Sequence, residues 1–122
     1  MADGISTANV DSALGTWTAS ADYISLAIGA PGAAGTANPS SVTTREAVTW
    51  GSASAGVISA SDEPEWTVWA GTNGEVVTDI AFWSLVTAGT FQLSMPLNSS
   101  VTMDTGDSLT LTSISITVPV AS

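Results

Sequence analysis

Cysteine and histidine are both absent from this 122-residue chain, and Lys and Arg together supply one residue, Arg45. Without cysteine there is no disulfide framework, and the redox compartment leaves no mark on the sequence. Without histidine the commonest general base, the commonest metal ligand and the usual pH switch are missing together. The near-absence of cations argues against nucleic acid as a partner, because phosphate contacts need Lys and Arg to displace counterions. It disfavours an anionic membrane surface for the same reason. No stretch approaches the roughly 18 to 20 apolar residues of a membrane span. The start, MADGISTANV, lacks the basic residues and apolar centre of a signal peptide. The expectation is a soluble protein made in a cytoplasm, with no cofactor and no metal.

What the chain has instead is acid and hydroxyl. Eleven Asp and Glu bring the net charge to −10, and Ser and Thr number 35. The surface is made polar by hydroxyls rather than by charge pairs, and self-repulsion of this size is tolerated in an assembly that supplies counter-charges. A chain of this length suits one domain with a real core, burying roughly two-thirds of its unfolded surface. We expect an N-terminal arm or short helix over residues 1–21 and a single β domain over 22–122. STANVDSALGTW is the one helical candidate, with Ser6 or Thr7 as cap, Val10, Ala13 and Leu14 as the apolar side and Gly15 as the closing residue. Being short, it is expected to order only on assembly.

From Asp22 the signals are those of strands. DYISLAIG places Ile24, Leu26 and Ile28 on one face and stops at Gly29; residues 29–41, with two prolines and three glycines, form a long loop. VTTREAVTWG reads as a strand ending at Gly51, and GVISASDEPEWTVWAG as two short strands broken at Asp62 to Pro64. EVVTDIAFWSLV is apolar on both faces through Phe82 and is the candidate central strand. TAGTF turns into FQLSMPL, and MDTGDSL turns into LTLTSISITVPV, residues 109–120. That last segment alternates apolar and hydroxyl residues but slips phase at Thr112-Ser113. A bulge or bend there would put Leu109 and Leu111 on the same core as Ile114, Ile116, Val118 and Val120, leaving Thr110, Ser115 and Thr117 outside. Seven or eight short strands spaced by turns indicate an all-β antiparallel sandwich or jelly-roll-like barrel with a short N-terminal helix or arm.

Catalytic sets are weak. Asp62, Glu63 and Glu65 invite comparison with the paired carboxylates of glycoside hydrolysis, but nothing in their spacing specifies a cleft, and a solvated acidic loop is the simpler account. Asp104 and Asp107 are too few for a calcium cage, and a tight turn with Gly106 in a special conformation explains them better. Of the five tryptophans, Trp50, Trp66 and Trp83 are expected to fill the core. Trp69 and Trp17 are the candidate contact residues, since exposed Trp rings stack on sugars and mark interface hot spots. Arg45 is expected to clamp a carboxylate, of its own chain (Glu46 is adjacent) or of a neighbouring subunit. Pro31 and Asn38 complete the candidate contacts in the long loop.

The segment Y-x-x-L-x-x-G-x-P-G-x-x-G-T-A-N-P-S-x-x-T-T-R from Tyr23 to Arg45, the FWS and GTF motifs within Ile80 to Phe91, and a late Gly-Asp before an alternating C-terminal strand resemble a family of small tailed-phage structural proteins. These tail-fibre-like or minor tail proteins are found in phages of actinobacteria. A His that commonly follows the Leu of the first segment is replaced here by Ala27, so any role of that His is unsupported. The resemblance implies a non-enzymatic virion protein on the particle exterior, a homo-oligomer with a trimer among the options, contacting other virion proteins. A capsid decoration protein is the alternative reading. A carbohydrate-binding module touching a host surface glycan through Trp69 and the loop is the second.

Overall fold

A computed structural model describes residues 5–118. The chain begins with α1, Thr7–Thr18. Ser6 caps it by accepting the Asn9 amide at 3.3 Å, and Val10, Leu14 and Thr18 form the buried stripe expected at i, i+4 and i+8. The helix does not close at Gly15, which sits on the exposed side. It runs on to Thr18, whose hydroxyl donates to the Leu14 carbonyl at 2.8 Å. Val10 and Leu14 pack with Ile58 in a satellite cluster flanked by Ile116 and Val118.

The strands are β1 Tyr23–Ala27, β2 Glu46–Ala47, β3 Val57–Ser59, β4 Glu65–Trp66, β5 Glu75–Trp83, β6 Phe91–Met103, β7 Leu109–Thr110 and β8 Ser115–Thr117. They form a four-stranded antiparallel sheet in the order β2-β1-β5-β6 and two antiparallel ladders, β3-β8 and β4-β7. Ile24, Leu26, Val77, Ile80, Phe82 and Met103 from the sheet meet Trp66, Trp69, Leu109, Leu111 and Ile114 in one cluster. This is the all-β, sandwich-like fold that the strand pattern indicates.

The candidate central strand is central: β5 lies between β1 and β6. Its alternation is broken, however. Val77 pairs with Val101 but Asp79 pairs with Pro96, so residues 97–100 of β6 bulge out against Thr78 alone. The bulge reverses the side-chain phase, which is why Val77 as well as Ile80 and Phe82 reach the main core while Val76 is exposed. Ala81 and Trp83, on the other face, are buried as well.

Other boundaries shift for identifiable reasons. Ile28 lies past the end of β1 and is exposed rather than in the core. The strand expected up to Gly51 pairs with β1 only at Glu46–Ala47 and then changes partner: Trp50 bridges Ala60, and the Gly51 amide donates to the Ser59 carbonyl at 2.8 Å. The phase slip at Thr112-Ser113 is a kink, with Ser113 at φ 55° separating β7 from β8. It brings Leu109, Leu111 and Ile114 into the main core and hands Ile116 to the helix cluster, while Thr110, Ser115 and Thr117 stay exposed. Pro119 and Val120, which end the expected strand, lie outside the described residues.

Candidate interface surface

Several of the carboxylates hold the scaffold together. Asp62 accepts the Thr49 amide at 3.0 Å, Asp11 the Gly56 amide at 2.8 Å, and Glu65 the Thr110 hydroxyl at 2.8 Å. Asp107 accepts the Asp104 amide at 3.0 Å in a turn where Gly106 has φ 91°, the local account preferred over a calcium loop. Asp62, Glu63 and Glu65 are exposed, and the rings that a sugar cleft beside them would need, Trp66 and Trp69, are buried. Among the described residues no group of three or more acids is placed to share a metal ion.

Trp69 is therefore corrected from contact residue to core residue. It is 2% exposed, and its indole Nε1–H donates to the Thr72 carbonyl at 3.1 Å. Regular alternation would allow only one of Trp66 and Trp69 to face inward. The chain satisfies both because Val68, between them, adopts φ 51° and turns its own side chain out to 70% exposure. Trp66 and Trp83 fill buried positions as expected; Trp50 is half-buried, its ring 5.5 Å from that of Phe82. Trp17 is half-exposed, at 51%.

Pro31 is also corrected: it is buried within the long loop, where its carbonyl accepts the Ala37 amide at 2.9 Å. Asn38 is exposed but has local work to do. It holds φ 51°, its carbonyl accepts from Ile28, and its side-chain amide donates to the Ala30 carbonyl at 2.9 Å. The clamp expected of Arg45 is formed with a different partner. Its Nη1 donates to the main-chain carbonyls of Leu85 at 2.9 Å and Ala88 at 2.6 Å, and its guanidinium lies 4.1 Å from the centre of the Trp83 ring. Desolvation lowers its pKa. The sole cation thus closes a loop of its own chain through carbonyls and a ring face rather than through Glu46.

Glu75 is the residue that sequence reading missed. Its carboxylate accepts from the Ser40 hydroxyl, from the Ser41 hydroxyl at 2.6 Å and from the Ser41 amide at 3.2 Å, tying the long loop to the start of β5. The Ser41 hydroxyl in turn accepts the Thr72 amide at 2.9 Å. Desolvation pushes the carboxyl pKa up, but the three hydrogen-bond contributions from Ser40 and Ser41 together outweigh it, and the net shift is downward. The partners lie 34 and 35 residues away in sequence, so no local motif announces them.

The residues that carried the family resemblance converge on one another. Trp83 packs against Phe91 with centroids 5.5 Å apart, and a Cβ on Gly35 would meet the Phe91 ring at 2.3 Å. Ser84 accepts the Thr90 amide at 2.8 Å, and Gly89, at φ 76°, fits closely over Leu85. The motif Tyr23 to Arg45 and the segment Ile80 to Phe91 are thus two halves of one packed corner. Residues 2–119 match the sequence model of the family described as Podophage GP4 fiber I protein gp80. The chain belongs to that family. A member of this phage fibre family is a virion component, and the resemblance read from the motifs holds at that level. No curated protein matches the chain.

One face of this fibre-family fold is open and uncharged. Beside β6 runs a groove of about 400 Å³ lined by Ile80, by residues 93–98 and by residues 111–116. At its end a recess of about 390 Å³ is lined by Trp17, Gln92, Leu93 and Ile116.

Proposed function

We propose that this chain is a non-enzymatic structural component of a tailed-phage particle, carried on the exterior as a fibre-type or minor tail protein that contacts other virion proteins. Membership of the phage fibre family over residues 2–119 carries the reading. The way Asp11, Asp62, Glu65, Glu75, Asp107 and Arg45 hold segments of the chain together supports it, since such residues build a shape rather than a reaction centre. Within this reading residues 1–21 form the N-terminal segment and 22–122 the β domain, the host is the actinobacterial one that the motif resemblance implies, and the copies assemble with one another.

Counting this chain against the major capsid protein in purified particles, by quantitative mass spectrometry, separates tail from shell. A handful of copies per particle, with antibody label at the tail, is the expected result. Near one copy per capsid subunit would instead make the chain a decoration protein. A host glycan as a further partner rests, with Trp69 in the core, on the loop around Asn38; retention of the purified chain on host cell-wall glycan is its test.

A further inference from the structure

Residues 80–103 and 108–118 are two of the long uncharged runs of the sequence, beside 23–44 and 47–61. The fold lays these two side by side. Leu93, Met95 and Leu97 of β6 face the segment that holds Ile114 and Ile116 across the groove, and Trp17 stands at its end. The groove and the recess adjoin, with Leu93 and Ile116 lining both. Leu93, Met95 and Leu97 are only partly buried, and among the described residues β6 pairs with β5 alone.

We propose that this groove is where a second copy of the chain packs. A protein of net charge −10 repels its own copies over every acidic surface. Self-contact is permitted where charge is missing, and interface cores are depleted of charge and enriched in Trp and Met. A basic partner would be drawn to the acidic faces instead and gains nothing electrostatic in this groove. Arg45, the one cation, is committed to Leu85, Ala88 and Trp83 and lends no attraction to the encounter. The contact is made by side chains rather than by extending the sheet, because Pro96 in the middle of the β6 edge has no amide hydrogen to offer.

This surface supplies the self-assembly included in the fibre reading. Sedimentation velocity of the purified full chain tests it. The chain is expected to self-associate, and to associate more tightly from about 0.1 M to about 1 M NaCl, which shortens the screening length from about 10 Å to about 3 Å. Trp17→Ala combined with Ser94→Glu, both at exposed positions, is expected to weaken association at least about tenfold. Thr67→Glu, exposed and away from the groove, is expected to leave association unchanged. A parent-like circular dichroism spectrum and cooperative unfolding, compared at concentrations where both proteins are monomeric, establish that the double variant is folded. A monomer at both salt concentrations, association that weakens with salt, or a folded double variant that assembles like the parent would overturn the proposal. Any of these leaves the virion-component reading standing, because family membership carries it and copy number in the particle tests it; a monomer removes only the self-assembly from that reading.

Discussion

Glu75 offers the most demanding test of how the long loop is held. Its carboxylate takes donors from Ser40 and Ser41, and Ser41 passes the connection on to Thr72. Hydrogen bonds to a charged group are worth about 1.5 to 3 kcal/mol each when well buried. This site is partly solvated, so about 0.7 kcal/mol for each of the three donor groups is the fair figure, and Glu75→Ala should cost about 2 kcal/mol in total. For a chain of this size that is a fall of roughly 8 °C in unfolding temperature. Glu75→Gln keeps the shape, removes the charge and turns an amide toward donors, so it should lose more than half of that amount. The folded pKa is depressed, so the unfolded state binds more protons in the window, and the contribution is present above the ordinary glutamate value, roughly 4.3. It is lost as pH falls through the lower folded value. The decisive assay is urea unfolding of the parent and Glu75→Gln between neutral and acid pH. The other acids are common to both proteins and cancel in the difference. A stability gap that stays constant as the pH drops would refute the carboxylate clamp.

Two further substitutions probe the same structure. Trp69→Ala should destabilise by about 3 to 5 kcal/mol, because a 2%-exposed ring leaves a cavity and an unmatched Thr72 carbonyl; a urea midpoint close to that of the parent would mean that the ring is a surface feature after all. Val68→Asn should stabilise by about 1 kcal/mol, since a β-branched residue at φ 51° is strained, Asn accepts that conformation, and a 70%-exposed side chain has little burial to lose; a lower thermal midpoint would show that the turn depends on the valine.

Much of the fold was legible because its signals are local. The cap of Ser6 on Asn9 spans three residues, and so does the turn of Asp104 and Asp107. The kink at Thr112-Ser113 showed itself as a parity slip within one segment, and the apolar density of residues 76–82 marked β5 as central. The misreadings share a cause. Parity arguments assume a regular strand, and both Val68 and the bulge opposite Thr78 break that regularity. Regular parity thereby puts Trp69 on the wrong side and does not foresee that Val77 shares the core with Ile80 and Phe82. Gly15 looked like a helix stop, yet the buried Thr18 beyond it carries the helix one turn further.

Composition and local pattern set the class of the protein and its limits: an all-β chain with one short capped helix, no thiol or imidazole chemistry, an acidic hydroxyl-rich surface, and motifs that place it among phage fibre proteins. The tertiary structure alone decided the partners. Arg45 finds carbonyls 40 and 43 residues away, Trp83 finds Ser25 across 58, and Glu75 finds Ser40 and Ser41 across 35 and 34. Composition and periodicity report only which way a side chain faces within a few residues. Which group it meets is set when the sheet closes and distant segments are brought side by side, and the uncharged groove between β6 and the kinked C-terminal strand exists only once that has happened.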